Sequence, residues 1–344
     1  MHTPRRAARI IESWFAAHQR DLPWRAKYDP YQVWVCEIMA QQTRLDVVVP
    51  YFTRFISRFP SVASLAAAPE DDVVSHWSGL GYYRRARMLH QGAREVVSRF
   101  GGVVPNDVDA LLTIPGIGRY TAGAIASIAF DQRAPIVDGN VARVLARFHG
   151  FEDAWAHAEA LVEACASPRN LNQGLMELGA LVCTPRKPLC GDCPLRSSCV
   201  AYGEDRIDEL PAKKAGGATR DLRIALYLIR DRSGRILMRR ERGPLMNALF
   251  HLPHGDTSLL SGTPLVVRGA KAIGSFRHTI TTRRIEFEVF VAARAGGGAG
   301  APLGPDYSWV DPEALGEIPH PSYVAKALRL AGNQTSTVRV KTRI

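Results

Sequence analysis

NDVDALLTIPGIGRYTAGAIASIAF, residues 106–130, decides how the first half of this 344-residue chain folds. Asn106 stands where it can cap a short apolar segment, Val108 to Leu112; Pro115-Gly116-Ile117-Gly118 follows, and then a helix from Arg119 to Phe130. Helix, glycine turn, helix is a helix-hairpin-helix. Gly116 and Gly118 let the backbone approach a phosphate closely, and the amides at the start of the second helix bind it. Such a contact reads no base sequence. The same pattern also serves as a plain tight connection between helices, so neighbouring residues must decide its use.

Two carboxylates flank the hairpin in contrasting surroundings. Asp29-Pro30 is a cap and first-turn signal, as Thr3-Pro4 is nearer the start, and the helix it opens sets Glu37 beside Val33, Trp34, Ile38 and Met39. Partial desolvation there raises the carboxyl toward a proton donor's range. Asp138 falls just before the helix Val141 to Phe148, where free amides favour the anion. One acid and one anion suit cleavage of a glycosidic bond: the first protonates the leaving group and the second stabilises an oxocarbenium-like sugar. Taken singly, a solvated helical Glu and a plain Asp cap are the commoner readings.

Cys183, Cys190, Cys193 and Cys199 give C-x6-C-x2-C-x5-C, with Cys36 and Cys165 left over. Four thiolates this close together suit a 4Fe-4S cluster, one per iron. A structural zinc site is the alternative, but its ligands usually come as two short pairs and only one exists here. Between the first two cysteines, Arg186 and Lys187 sit on a loop pinned by prolines, either gripping a phosphate or simply solvated.

Residues 1–203 read as helices, and 204–221 turn polar and small, as a linker does. From 222 to 330 the pattern changes to alternation and β-branched runs, Leu222 to Ile229, Arg235 to Met238 and Ile285 to Val291, with turns at Gly243-Pro244 and Gly296 to Gly298 and a helix at Tyr323 to Leu330. That half is α+β. Residues 331–344 form a polar, basic tail expected to fray from Asn333.

Forty-four Lys and Arg against 33 Asp and Glu give a net charge of +11, which favours an acidic partner such as nucleic acid. Apolar residues at 46% argue against a disordered chain. No apolar run approaches a membrane span and the start lacks a secretory segment, so a cytoplasmic protein is expected.

The chain resembles the endonuclease III superfamily, and within it the MutY-type adenine glycosylases. The resemblance rests on Asp21 to Arg25, Val33 to Thr43, Gly79 to Tyr83 with Arg85-Ala86-Arg87, Ile114 to Ala122, Val137 to Val144, and Asn172 through Cys199. It implies an all-α helix-hairpin-helix glycosylase domain with a 4Fe-4S loop, followed by an α+β Nudix-like domain. It further implies a monomeric, monofunctional enzyme that removes adenine opposite 8-oxoguanine or guanine in duplex DNA. On that footing Glu37 protonates adenine N7, Asp138 stabilises the cationic sugar or captures it covalently, and Asn140 and Tyr120 support that site. Trp24, Arg25 and Gln173 match pocket positions, and Gln42 and Tyr82 match side chains wedged into the duplex.

There are departures. Cys36 replaces a usual serine and Ala40 a usual leucine. No acidic Nudix box is present, so pyrophosphate hydrolysis is not expected. Where the family has a Phe-Ser-His turn against 8-oxoguanine, this chain has Ile280-Thr281-Thr282, keeping a hydroxyl at Thr281 and losing the aromatic and the imidazole. A lyase of the endonuclease III kind needs a lysine nucleophile where Tyr120 stands. A non-catalytic iron-sulfur DNA-binding module would have no need of both Glu37 and Asp138.

Overall fold

The computed structural model describes residues 3–151, 153–212, 219–242, 246–254, 267–294 and 306–338. Two units emerge, Met1–Ala68 with Arg84–Ala215, and Pro69–Tyr83 with Gly216–Ile344. The segment Pro69–Tyr83 thus groups with the later half of the chain and not with its sequence neighbours. The turns at Gly243-Pro244 and Gly296 to Gly298, part of the linker and the last residues of the tail lie outside the described residues.

The first unit is helical: α1 (Pro4–His18), α2 (Pro30–Ala40), α3 (Leu45–Arg58), α4 (Val62–Ala67), and, after α5 (Glu70–His76) of the second unit, α6 (Arg84–Phe100), α7 (Val108–Leu112), α8 (Arg119–Ala124), α9 (Gly139–His149), α10 (Ala154–Ala164), α11 (Pro168–Leu181) and α12 (Val200–Gly203). Thr3 and Asp29 cap α1 and α2 as their sequence predicts, Asp29 accepting from the Gln32 amide at 2.9 Å. Every residue of α2 from Val33 to Met39 is buried, because the helix is apolar nearly all round, and this carries Glu37 inward. Packing among α1, α9, α10 and α11 makes one core, with Ile11, Val144, Leu145, Leu161, Leu175 and Leu178 at its centre.

Two local expectations need correction. The cap of α7 is Asp107 and not Asn106: a cap side chain must reach the amide three residues on, and Asp107 accepts from Ala110 N at 2.8 Å. The helix expected from Arg119 to Phe130 ends at Ala124 and widens into a π-turn, Ile125–Ala129. There the Ser127 hydroxyl donates to the Gly123 carbonyl at 2.7 Å, taking up the acceptor that the Ser127 amide would use in a regular helix.

The second unit is α+β, as its alternation predicts. It contains β1 (Arg220–Leu228), β2 (Ile236–Arg240), β3 (Phe250–His251), β4 (Val267–Ile280), β5 (Arg283–Arg294), β6 (Tyr307–Val310) and α13 (Ser322–Val338). One sheet has the order β1-β5-β4, with β1 parallel and β4 antiparallel to β5; the other has the order β3-β2-β6, all antiparallel. Ile224, Leu226 and Leu228 point inward with Ile285, Phe287 and Val289, and Tyr323 of α13 stacks on Phe287 at 4.4 Å. α13 extends as far as Val338. None of the described helices is long and apolar enough to cross a membrane.

Candidate active site and iron-sulfur loop

A cleft of about 1200 Å³ in the first unit gathers most of the residues singled out in the sequence: Trp24, Arg25, Glu37, Gln42, Gly116, Gly118, Tyr120, Asp138, Asn140 and Gln173. Tyr82, Thr281 and Thr282 belong to the second unit.

Glu37 is 7% exposed. The Tyr120 hydroxyl donates to its Oε2 at 2.6 Å, and the Cys36 thiol lies 3.9 Å from its Oε1. Burial lifts the Glu37 carboxyl, and the charge of Asp138 adds to this; the bonds from Tyr120 and Cys36 and the charge of Arg25 oppose it, leaving the carboxyl at about 7. A group poised there gives and takes a proton near neutrality. Tyr120 itself is held neutral, since burial and then the nearby carboxylates push its phenol up.

Asp138 is the N-cap of α9: Oδ1 accepts from the Val141 amide at 2.7 Å, and Oδ2 from Asn140 Nδ2 at 3.2 Å. Those bonds favour the anion, as the sequence suggests. Burial outweighs them, however, and the carboxyl sits above its ordinary range.

Arg143 was not foreseen as a site residue. It is 8% exposed, and it donates to Asn140 Oδ1 at 2.8 Å, the Gly179 carbonyl at 2.7 Å and the Cys183 carbonyl at 2.7 Å. Gly179 permits this approach, since a Cβ there would lie 2.7 Å from that of Asn140. Glu177, Arg20 and Arg85 were missed too. Glu177, 1% exposed, takes Arg20 Nε at 2.8 Å and Arg25 Nη2 at 3.1 Å. Burial acts to raise this carboxyl, but the two guanidinium groups win and hold it at about 2. Arg25 Nε donates in turn to Gln173 Oε1 at 2.9 Å, so the pocket side chains are fixed. Arg85 caps α2, donating to the carbonyls of Ile38, Met39 and Gln41.

At the rim, Gln42 is exposed with a left-handed backbone, φ 56, a strained conformation for a non-glycine residue. Tyr82 is 48% exposed with φ 49, which excludes the core role an aromatic there would otherwise suggest. In the hairpin, Gly116 has φ +84, and an added Cβ would stand 2.9 Å from that of Met88, so glycine is required twice over.

Cys183, Cys190, Cys193 and Cys199 line a single cavity with Phe148, Leu178, Val182 and Leu195, and none is in a disulfide. Thiolates converging in an apolar setting fit an iron-sulfur cluster. Arg147, 2% exposed, braces the loop, donating to the Thr184 and Leu210 carbonyls at 2.8 Å each and lying 3.5 Å from Cys183 Sγ. Arg186 and Lys187 are exposed on the same loop.

Comparison with known proteins agrees with this geometry. Residues 35–167 match the HhH-GPD superfamily of base excision DNA repair proteins, and residues 183–199 match the iron-sulfur binding domain of endonuclease III. The chain is 45% identical over 225 residues to an adenine DNA glycosylase of Rattus norvegicus, the match covering 59% of this chain and 43% of the relative. It thus spans less than half the length of that relative. Over 263 residues it is 35% identical to an adenine DNA glycosylase of Buchnera aphidicola subsp. Schizaphis graminum, covering 73% of this chain and 76% of the other. Among solved structures, a thermostable thymine-DNA glycosylase superimposes with a TM-score of 0.54 at 29% identity, covering 58% of this chain and 97% of its own. With the buried acid, the capped carboxylate and the four-cysteine loop all in place, these matches make the chain a member of the adenine DNA glycosylase family within the HhH-GPD superfamily.

Proposed function

We propose that this chain is a monofunctional glycosylase that excises adenine mispaired with 8-oxoguanine or guanine from duplex DNA, opening base excision repair. One observation carries the reading: Glu37, poised at about 7 and bonded to Tyr120, shares its cleft and its electrostatic field with Asp138. Glu37 gives its proton to N7 of an extruded adenine. The bond from C1′ to the base breaks with its electron pair leaving on the base, while Asp138, oriented by Asn140, stabilises the oxocarbenium-like sugar. Water adds to C1′ and returns a proton to Glu37. Trp24, Arg25 and Gln173 serve as pocket walls, and Gln42 and Tyr82 as wedges that replace lost stacking.

Backbone binding falls to the hairpin at Gly116 and Gly118 and to Arg186 and Lys187, in keeping with the net charge of +11. The four cysteines would hold the cluster, whose ligation ties the chain from Cys183 to Cys199 into one rigid loop. A lyase is disfavoured, because no lysine is among the described residues lining the cleft. The protein acts as a cytoplasmic monomer.

Single-turnover excision on duplexes carrying adenine opposite 8-oxoguanine, guanine, cytosine and thymine tests the proposal. Release opposite the first two only, leaving an uncut abasic strand, is expected. Release of a pyrimidine in place of adenine, or strand cleavage at the rate of base release, would overturn it.

A further inference from the structure

Glu241, His251 and His254 form a second constellation of ligand-type side chains, in the second unit and apart from the cleft. They are 1%, 0% and 2% exposed, and each offers a ligand atom within 4.8 Å of the others. Two imidazoles and a carboxylate are a donor set of the metal-ligand type, and the Glu241 carboxylate is oriented by the Arg242 amide, which donates to Oε1 at 2.9 Å.

The tautomer of His251 sharpens the point. Its Nδ1 lies 2.9 Å from the Leu252 carbonyl, which can only accept, so Nδ1 carries the proton. In the neutral ring Nε2 is then a bare lone pair. It makes no hydrogen bond to the described residues and lies 3.3 Å from Glu241 Oε2, so that a lone pair faces a carboxylate. A cation between them turns this repulsion into two bonds. The separation is right for it: ligands about 2.0 to 2.1 Å from a tetrahedral zinc lie roughly 3.3 Å apart. A ligand histidine that donates its other nitrogen to a main-chain carbonyl is also how metal sites fix ring orientation.

The backbone carrying the ligands is tied down. Glu241 follows β2 directly; its amide donates to the Leu249 carbonyl at 2.9 Å, and its carbonyl accepts from Ala248 at 2.7 Å. His251 ends β3 in register with Arg239, and His254 bridges to Leu226 of β1. Tyr323 closes the site: it is 0% exposed, feels the Glu241 charge, and its hydroxyl has no hydrogen-bond partner among the described residues.

We propose that Glu241, His251 and His254 bind one divalent transition-metal ion of the zinc type, a structural site that pins the two sheets together beside α13. Imidazole nitrogen with a single carboxylate selects zinc-like ions over magnesium or calcium, which want oxygen throughout. Burial leaves no route for a substrate, so the role is structural.

The test uses the full chain with its cluster, dialysed against buffered zinc alone and freed of excess. Elemental analysis should give about one zinc per chain beside about four irons. X-ray absorption at the zinc edge should show nitrogen and oxygen ligands without sulfur, and zinc should raise the melting midpoint. His251→Gln and His254→Gln should each lose most of the zinc and keep the iron. Wild-type protein that retains no zinc overturns the proposal whether or not the variants fold, and so does zinc bound through sulfur or zinc held equally by both variants.

Discussion

Arg143 joins the candidate catalytic loop to the cysteine loop: the guanidinium that holds Asn140, itself 3.2 Å from Asp138, also donates to the carbonyl of Cys183 at 2.7 Å. A first cysteine and a capping carboxylate 45 positions apart in sequence are thereby fixed by one buried side chain. Arg143→Met keeps most of the volume and removes every donor, leaving buried carbonyls unsatisfied, at about 1 to 3 kcal/mol for each lost partner. The melting midpoint should drop by several degrees, and the variant should lose iron faster than wild type on storage. Unchanged iron retention would show that the loop is anchored elsewhere, Arg147 being the candidate.

The bond from Tyr120 to Glu37 sets a pH dependence. Glu37 acts as an acid only while protonated, so single-turnover excision should fall as pH rises through about 7. Tyr120→Phe removes the bond that favours the carboxylate, so the Glu37 carboxyl should rise further and the alkaline limb should move to higher pH. Glu37→Gln and Asp138→Asn should abolish release and keep duplex binding. A limb that stays in place in Tyr120→Phe would mean that another group titrates.

The same shift makes a stability statement. The folded Glu37 carboxyl is raised from 4.5 to about 7, so the associated stability is fully present below 4.5 and lost as pH rises through 7. Glu37→Gln should therefore leave stability near pH 4 unchanged and increase it above pH 8, by up to about 3 kcal/mol at 1.36 kcal/mol per unit. Denaturant midpoints at the two pH values decide it. An equal effect at both would mean that the ionised form is not penalised in the fold.

Glu177 runs the opposite way. Its carboxyl is lowered to about 2, so its contribution is present above about 4.5 and is lost as pH falls toward 2. Glu177→Gln should destabilise at pH 7 by about 2 kcal/mol and have little effect near pH 2. It also frees Arg25, so the substrate-binding term should weaken along with stability. A loss of stability without weaker binding would separate Arg25 from the pocket.

Local signals in the sequence were legible and distant ones were not. The caps at Thr3, Asp29 and Asp138, the buried face of α2 and the cysteine spacing depend on residues within a turn or two of each other. Glu177 lies 157 positions from Arg20 and 152 from Arg25, so nothing near it announces a buried triad. Arg143 had a signal: it stands three residues after Asn140 and four before Arg147, so that three polar side chains share one face of α9. β4 was missed because Gly269, Gly274 and three cations interrupt its alternation, and its pairing with β5 shifts register twice. The grouping of Pro69–Tyr83 with residues beyond 216 was not readable, since Arg240 with Asp71 and His320 with Ser78 are long-range contacts.

The turn at Ile280-Thr281-Thr282 gives the last prediction. Thr281 and Thr282 are the two residues between β4 and β5, with Ile280 paired to Arg283, so they form an exposed hairpin tip. Thr281 has φ 54, an uncommon conformation for a β-branched residue, and its hydroxyl donates to the Ile280 carbonyl at 2.7 Å. The hydroxyl that survives from Phe-Ser-His therefore spends its proton within the turn, and its neighbours in sequence are Ile280 and Thr282. If this tip meets the base opposite adenine, the missing contacts remove roughly 1 to 3 kcal/mol of discrimination, by analogy with a lost base contact. Adenine release should persist, because Glu37 and Asp138 lie in the other unit. The preference for 8-oxoguanine over guanine opposite adenine should be small in the wild type and should widen by about tenfold or more when the turn becomes Phe-Ser-His, an interval of about 1.4 kcal/mol per factor of ten. Single-turnover rates on both duplexes, with both proteins, measure it. A large preference that is the same in the two would show that Arg283, or backbone groups of the tip, recognise the lesion without the replaced side chains.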